Sequence, residues 1–155
     1  MHVDIEHLPD LRLATVTHVG PYNQIGKAFE QLGAIAGQHG LFANPGTLMI
    51  GAYHDDPDAA APDELRSAAG ISIPVDTPLP PGLTEMRIDG GTYARYTHIG
   101  PYDLLGDAWQ RFMGEALPAS GHIVADGPAL EIYRSDMRTT PKELLRTDLL
   151  APVRE

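Results

Sequence analysis

The chain has 155 residues, which is enough for one domain with a buried core and too few for two independent domains. Its 11 Lys and Arg are outnumbered by 21 Asp and Glu, and the formal net charge of −10 argues against direct nucleic-acid binding, because phosphates require a basic surface. There is no cysteine, no signal-peptide pattern at the start and no apolar run of about 18 residues. We therefore expect a cytoplasmic protein that makes no contact with a membrane.

The first part of the chain has the pattern of a strand, a helix and two further strands. The segment Leu11 to Val19 is rich in β-branched residues and predicts a strand, which the following Gly-Pro pair ends. Apolar residues then recur at helical spacing from Tyr22 to Ala36, and Gly40 is expected to end this helix. Short apolar runs between turn residues predict two more strands, at Leu48 to Tyr53 and Ile71 to Val75.

A proline-rich connector leads to a second part, in which the order strand, helix, strand, strand recurs after one additional strand. Residues 77–82 contain three prolines and a glycine, a composition that excludes a helix or a central strand. The next pattern predicts strands at Leu83 to Ile88 and Thr92 to Ile99, followed by a helix from Tyr102 to Met113 that Pro118 cannot continue. Two apolar runs predict the last strands, at Leu130 to Arg134 and Leu149 to Val153.

The two parts are copies of one unit. Residues 17–22 read Thr-His-Val-Gly-Pro-Tyr, and residues 97–102 read Thr-His-Ile-Gly-Pro-Tyr, which aligns the two halves of the sequence. This duplication predicts an α+β fold in which two tandem strand-helix-strand-strand repeats are related by a pseudo-twofold axis. We expect an antiparallel sheet with helices on one face and a ligand cleft on the other, at the seam between the halves. The expected organisation is a single domain over 1–155, with repeat one at 1–76, a linker at 77–82 and repeat two at 83–155.

Several segments together carry a family resemblance. They are His18-Val19-Gly20-Pro21-Tyr22, Tyr53-His54-Asp55-Asp56-Pro57, Glu64-Leu65-Arg66, Gly90-Gly91-Thr92-Tyr93-Ala94 and Leu130-Glu131-Ile132-Tyr133. In these segments the chain resembles the GyrI-like family of small-molecule effector-binding domains, which also occur at the end of AraC-type and multidrug-sensing transcription regulators. The resemblance implies a lipophilic, often cationic ligand in a cavity between the repeats. It also implies an acidic residue in that cavity, at the position matched here by Glu131.

Strand parity supports a role for Glu131, because successive side chains of a strand point to opposite faces. We expect Leu130 and Ile132 to lie under the helices, and Glu131 and Tyr133 to face away from them. When the repeats are aligned on the shared hexapeptide, Gly51 is the counterpart of Glu131. The repeats would thus combine an open position with a single carboxylate. The alternative is that Glu131 is an ordinary strand residue facing solvent.

The other predicted ligand-binding residues are aromatic or lie on the same expected face as Glu131. Trp109 belongs to the second helix, where aromatic residues at this spacing are more often part of the core, although Trp109 could also lie at the edge of a cavity. Tyr22 and Tyr102 follow the Gly-Pro turns, where they could pack the start of each helix or form cavity walls. The complete predicted set is Glu131, Tyr133, Tyr53, Gly51, Met49, Trp109, Tyr22 and Tyr102.

The paired histidines of the repeated hexapeptide suggest a metal site or a structural turn. His18 and His98 have no cysteine or carboxylate nearby at zinc-ligand spacing. The Gly-Pro that follows each histidine favours a turn in which the ring packs or bonds to the backbone. We therefore expect no metal, and no cofactor is implied.

Three functions remain open for such a chain. The resemblance implies binding of hydrophobic or cationic aromatic small molecules of the drug or toxin type. Some stand-alone family members hydrolyse strained cyclopropane-bearing alkylating toxins, and Glu131 with Tyr53 or Tyr133 could supply the acid or base. The family's namesake activity implies DNA gyrase as a partner. We expect no helix-turn-helix module, since the repeats occupy the chain, and no conventional nucleophile or phosphate-loop motif is present.

Overall fold

The computed structural model describes the whole chain, residues 1–155, and contains eight strands. The strands are β1 Asp4–Leu8, β2 Leu11–Val19, β3 Met49–Tyr53, β4 Arg66–Ser72, β5 Thr84–Ile88, β6 Gly91–Ile99, β7 Ala129–Tyr133 and β8 Arg146–Pro152. The helices are α1 Gly26–Gln38, α2 Leu105–Arg111 and α3 Leu117–Ser120, with a π-helical turn at Phe112–Ala116 between the last two. None of these helices combines the length and the apolar character that a membrane crossing requires.

The chain folds into two compact units. The first unit is Pro9–Asp89, and the second unit combines Met1–Leu8 with Gly90–Glu155. Each unit contains four antiparallel strands and one helical segment, so the predicted α+β class with an antiparallel sheet is confirmed.

In the first unit the strands lie in the order β3, β4, β2, β5. Helix α1 covers one face of these strands with Ala28, Leu32 and Ala36, which recur every four residues and are all buried. They pack against Ala14 of β2 and Ile71 of β4 in one apolar cluster. The helix ends two residues before Gly40, whose φ of 69° is the left-handed conformation that glycine adopts without strain.

In the second unit the strands lie in the order β1, β6, β8, β7. Leu105, Ala108 and Phe112 form the buried stripe of the second helical segment. They pack against Leu149 and Ala151 of β8, and Phe112 is completely buried. The helix therefore covers one face of its strands, as the spacing predicts.

Each unit includes a strand from the other half of the sequence. The N-terminal strand β1 pairs with β6, with Asp4 opposite Arg95, and the guanidinium of Arg95 lies 3.1 Å from Asp4 and 3.4 Å from Glu6. Strand β5, which follows the connector, pairs with β2 of the first unit. The limits 1–76, 77–82 and 83–155 stay a prediction about the sequence repeats, while strand pairing crosses them.

Three predicted boundaries are wrong. Strand β4 begins at Arg66 rather than Ile71, and β8 begins at Arg146 rather than Leu149. Their first residues have little strand preference of their own, but both strands have a neighbour on each side to satisfy their backbone groups. The second helical segment also continues through Pro118 to Ser120. The wider π-helical turn before Pro118 changes the hydrogen-bond register where proline lacks its N–H.

Candidate functional site

Glu131 faces helix α2. The indole Nε1 of Trp109, which lies on α2, donates a hydrogen bond of 2.7 Å to Glu131 Oε2, and Tyr133 packs against the same apolar cluster as α2. The expectation that Glu131 and Tyr133 face away from the helices is wrong. Both faces of β7 are buried, with Leu130 at 0% and Ile132 at 1% exposure, so apolar side chains do not mark the helix side.

The same correction applies to β3 in the first unit. Met49 and Tyr53 pack against the cluster that contains α1, so Met49, Gly51 and Tyr53 lie on the helix side of their strand. Ile50 and Ala52 occupy the opposite face and are completely buried. The sequence correctly groups the side chains that share a face within each strand. The face that lies under the helix is the opposite of the one expected.

The carboxylate of Glu131 is buried and held by neutral donors. Only 4% of the residue is exposed. Oε2 accepts the indole N–H of Trp109 at 2.7 Å, and Oε1 accepts the phenol of Tyr133 at 2.6 Å. Hydrogen bonds to an ionised acceptor are stronger than bonds between neutral groups and offset part of the cost of burying the charge. These two donors fix the orientation of the carboxylate.

Aromatic rings surround this carboxylate within the second unit. Tyr102 meets Tyr133 edge to face, with ring centroids 5.6 Å apart, and Trp109 lies 5.8 Å from Phe112. Burial raises the pKa of Tyr102, and the negative charges of Glu131 and Asp136 raise it further. Tyr102 therefore stays protonated near neutral pH. The site combines one carboxylate with several aromatic faces.

The first unit has the same aromatic pair without the acid. Tyr22 and Tyr53 meet edge to face with centroids 4.9 Å apart, and Gly51 occupies the position that matches Glu131. The Tyr22 hydroxyl donates to the carbonyl of Asp55 at 2.7 Å and accepts its N–H at 2.9 Å. Burial raises the pKa of Tyr22, and the charges of Asp55 and Asp56 also raise it. These contacts join Tyr22 to Tyr53 and to the backbone that follows β3, and both alternatives for Tyr22, packing at the helix start and forming a cavity wall, stay predictions.

The paired histidines build turns. The ring Nε2 of His18 lies 3.1 Å from the Pro21 carbonyl, and that of His98 lies 3.2 Å from the Pro101 carbonyl. Each bond requires the Nε2–H form of the ring, because a carbonyl only accepts. Among all residues, no group of three or more His, Asp or Glu side chains is arranged to hold a metal ion.

A second buried carboxylate lies in the second unit and was not foreseen from the sequence. Asp148 has no exposed surface, and it accepts hydrogen bonds from Thr97 Oγ1 at 2.7 Å and Arg134 Nε at 2.9 Å. Arg146 Nε lies 3.6 Å away. Burial alone would raise the pKa of Asp148, but these hydrogen bonds and the arginine charges outweigh it and hold the pKa below its usual value. Comparison of the repeats offers the one sequence signal, because Asp148 takes the place that Ala68 has in the first copy.

Two small clefts open on the surface of the first unit. One has a volume of about 200 Å³ and is lined by Asn44, Gly46, Thr47, Ser72, Ile73 and Pro74. The other has a volume of about 260 Å³ and is lined by Thr17, His18, Val19, His54, Arg66 and Ser67. None of these lining residues belongs to the predicted ligand-binding set.

Comparison with known proteins relates the whole chain to one family. A family model described as the GyrI-like small molecule binding domain matches residues 1–154. A DNA gyrase inhibitor of Yersinia enterocolitica is 32% identical over 139 residues, covering 86% of this chain and 86% of that protein. A DNA gyrase inhibitor of Edwardsiella piscicida is also 32% identical, over 161 aligned positions that cover 100% of this chain and 99% of that protein.

Solved structures show the same fold. The C-terminal domain of EcmrR matches with a TM-score of 0.76 at 17% identity, over 99% of this chain and 98% of that one. A hydrolase from Listeria innocua matches with a TM-score of 0.65 at 18% identity, over 98% of this chain and 91% of that one. SAV2435 bound to tetraphenylphosphonium matches with a TM-score of 0.63 at 16% identity, over 99% and 94%. From the family model and the relatives together, the chain belongs to the family of GyrI-like small molecule binding domains.

Proposed function

We propose that the chain binds small aromatic molecules, preferentially cationic ones, and that Glu131 supplies the negative charge that selects them. The observation that carries this proposal is the buried carboxylate of Glu131, which accepts hydrogen bonds from Trp109 and Tyr133. Membership of a small-molecule binding family supports the ligand class. The complex of SAV2435 with tetraphenylphosphonium, a lipophilic cation with four phenyl rings, shows that this fold can hold such a ligand.

The charge of Glu131 favours a cation because it lies away from bulk water. Two opposite charges 4 Å apart attract by about 4 kcal/mol at an effective dielectric constant of about 20, compared with about 1 kcal/mol in water. Trp109 and Tyr133 are neutral donors, so they orient the carboxylate and leave its charge in place. A neutral ligand of the same shape would gain none of this attraction.

The aromatic rings provide the second contribution. Trp109, Tyr102 and Tyr133 are each partly exposed in the second unit, so part of each side chain can be reached by a ligand. A cation over such a face gains about 0.5–2 kcal/mol for each well-placed ring. The phenol of Tyr133 donates to Glu131 at 2.6 Å, which makes its ring more electron-rich. Shape and charge would thus act on the same ligand.

The test is the affinity of the Glu131→Gln variant for tetraphenylphosphonium, measured by isothermal titration calorimetry. Glutamine keeps the volume, and its carbonyl oxygen can accept the Trp109 hydrogen bond while its NH2 group donates to the hydroxyl oxygen of Tyr133. We expect at least a tenfold loss of affinity, equal to about 1.4 kcal/mol. Affinity for triphenylphosphine oxide, a neutral molecule with three phenyl rings, should change little.

A matched variant separates the local charge from the charge of the whole chain. Glu143→Gln removes one negative charge from an exposed turn of the same unit and should leave the affinity unchanged. Equal affinity of Glu131→Gln and the unchanged chain for the cation would contradict the role of Glu131. An equal loss of affinity in both variants would show that the preference for cations comes from the net charge of the chain and not from Glu131.

Interaction with DNA gyrase is the second candidate function, and the relatives favour it. Two of them that cover 86% and 100% of the chain are named DNA gyrase inhibitors. A supercoiling assay with purified gyrase tests it directly, with relaxed plasmid as substrate and increasing amounts of this protein. Inhibition of supercoiling supports the function, and full activity at a large molar excess of the protein opposes it.

Hydrolysis of an electrophilic small molecule is the third candidate. The short contact between Tyr133 and Glu131 places a phenol and a carboxylate together, as acid-base chemistry requires. A neighbour of the same fold from Listeria innocua is described as a hydrolase. Incubation with a cyclopropane-bearing alkylating compound tests this function, because addition of water across the strained bond raises the product mass by one water. An unchanged ligand mass would leave binding as the function.

A further inference from the structure

The second unit shows how this fold holds a carboxylate on the sheet face opposite the helix. Asp148 lies on β8 beside Leu149, whose side chain packs under α2, so Asp148 points to the opposite face. Thr97, Arg134 and Arg146 converge on it at 2.7, 2.9 and 3.6 Å. Two side chains thus donate hydrogen bonds to one buried acceptor, and the guanidinium of Arg146 adds a nearby positive charge.

The first unit has donors at all three matching positions but no acceptor at the position that matches Asp148. In the alignment of the two repeats, Thr17 matches Thr97, His54 matches Arg134, and Arg66 matches Arg146. The matching position for Asp148 is Ala68, whose methyl group accepts no hydrogen bond. The strand register agrees, because Thr17 lies opposite Ala68 as Thr97 lies opposite Asp148.

A cleft occupies this part of the first unit. Thr17, His54 and Arg66 all line the cleft of about 260 Å³, so the three counterparts of the Asp148 partners share one open space. Val19, which is 68% exposed, adds an apolar wall. The volume is below the roughly 300 Å³ at which pockets for drug-sized ligands begin, so the cleft suits a smaller molecule.

We propose that this cleft binds a small organic carboxylate, whose carboxyl group takes the place that the Asp148 side chain has in the second unit. The hydroxyl of Thr17, a ring N–H of His54 and the guanidinium of Arg66 would donate to its oxygens. The apolar end of the ligand would lie against Val19. The residues involved are separate from Glu131, so the site does not depend on the function proposed above.

Asp55 limits the affinity of this site. Its carboxylate accepts from Arg66 Nε at 3.1 Å and Nη2 at 2.9 Å, and it also accepts the backbone N–H of Arg66 at 2.7 Å. In the second unit the matching residue is Ser135, which accepts the backbone N–H of Arg146 at 2.9 Å. Replacing Asp55 with serine therefore keeps the backbone bond and releases the guanidinium for a ligand.

The experiment measures benzoate binding by isothermal titration calorimetry and by amide chemical shifts in nuclear magnetic resonance. We expect saturable binding at millimolar concentration in the unchanged chain, with shifts centred on Thr17, His54 and Arg66. Ala68→Asp supplies an internal carboxylate and should weaken benzoate binding at least tenfold. Asp55→Ser should tighten it about threefold or more, and Asp63→Ser, which removes the same charge from an exposed position, should not.

Further controls decide between the remaining outcomes. Benzamide has the size of benzoate without its charge and should not bind. If Ala68→Asp does not fold, Thr17→Val, which removes a hydroxyl at similar volume, should still weaken benzoate binding about threefold. Equal benzoate affinity in the unchanged chain and these variants, or no saturable binding at all, would overturn the proposal. Equal binding of sulfate with the same variant pattern would overturn the assignment to carboxylates.

Discussion

The two units share their turns, helices and strand order, but only the second unit buries carboxylates. Glu131 and Asp148 lie in the second unit at 4% and 0% exposure, and the matching residues of the first unit are Gly51 and Ala68. The hydrogen bonds from His18 and His98 to their turns are nearly identical in length. The two copies thus have the same local structure, and buried carboxylates are present in only one of them.

This difference separates what the fold requires from what only one copy contains. An apolar or missing side chain at positions 51 and 68 leaves the first unit intact, so neither carboxylate is needed for the architecture. A buried charge is costly unless hydrogen bonds or ions compensate it. The second unit supplies them through Trp109 and Tyr133 for Glu131. The energetic cost that this unit bears is consistent with the role that we propose for Glu131.

The largest effect is expected when Asp148 is replaced with alanine, the residue that the first unit has at the matching position, Ala68. Asp148→Ala removes the buried acceptor of the hydrogen bonds from Thr97 and Arg134, and we expect the free energy of unfolding to fall by about 3 kcal/mol. Urea denaturation followed by circular dichroism measures it. Asp136→Ala removes an exposed pair with Arg138 and should change stability by less than about 1 kcal/mol. Similar losses of stability in both variants would show that the buried contacts of Asp148 stabilise the chain no more than an exposed ion pair does.

The next test replaces Trp109 with phenylalanine, because Phe29 occupies the matching position of the first unit and has no hydrogen-bond donor on its ring. Trp109→Phe removes the hydrogen bond to Glu131 Oε2, and we expect a loss of about 2 kcal/mol, the usual range for a bond to a charged group. Circular dichroism is the appropriate signal, because the variant lacks the single tryptophan of the chain. In a chain that already carries Glu131→Gln, Trp109→Phe should lower the free energy of unfolding by less than it does in the unchanged chain. Additive losses would contradict the importance of this contact.

The smallest expected effect compares the two turns themselves. His98 is 8% exposed, and His98→Ala should lower stability by about 1 kcal/mol through loss of the bond to Pro101, equal to a fall in Tm of about 2–4 °C. His18→Ala should cost less, because His18 is only partly buried. His98→Gln retains an N–H donor and should recover part of the loss. A larger loss of stability in His18→Ala than in His98→Ala would contradict the expected effect of burial on these two hydrogen bonds.

Much of the fold could be predicted because its signals are local. The run from Leu11 to Val19 matches β2 at both ends, and the repeated Gly-Pro turn places a helix after each of β2 and β6. The exchange of β1 and β5 between the sequence halves could not be predicted. Strand pairing depends on which edges meet in space, and both strands are short and similar in pattern.

The candidate site was predicted only in part, because the alternation of side chains along a strand is compatible with a helix on either face. The rule groups Glu131 with Tyr133 and separates them from Leu130, but it does not say which group lies under a helix. Leu130 is buried on the other face, so hydrophobicity gave the wrong answer. The Asp148 cluster is also invisible to local patterns, because Thr97, Arg134 and Asp148 come from different parts of the chain.

The position of β1 has a consequence for synthesis of the chain. Its partner β6 ends at Ile99, so the N-terminal strand leaves the ribosome long before the strand that pairs with it. During that interval β1 would present an open edge to other chains. Asp4 and Glu6 lie on this strand, and like charges on an unpaired edge disfavour aggregation. The same acids later bind Arg95, so they can protect the nascent strand and then hold it in the finished sheet.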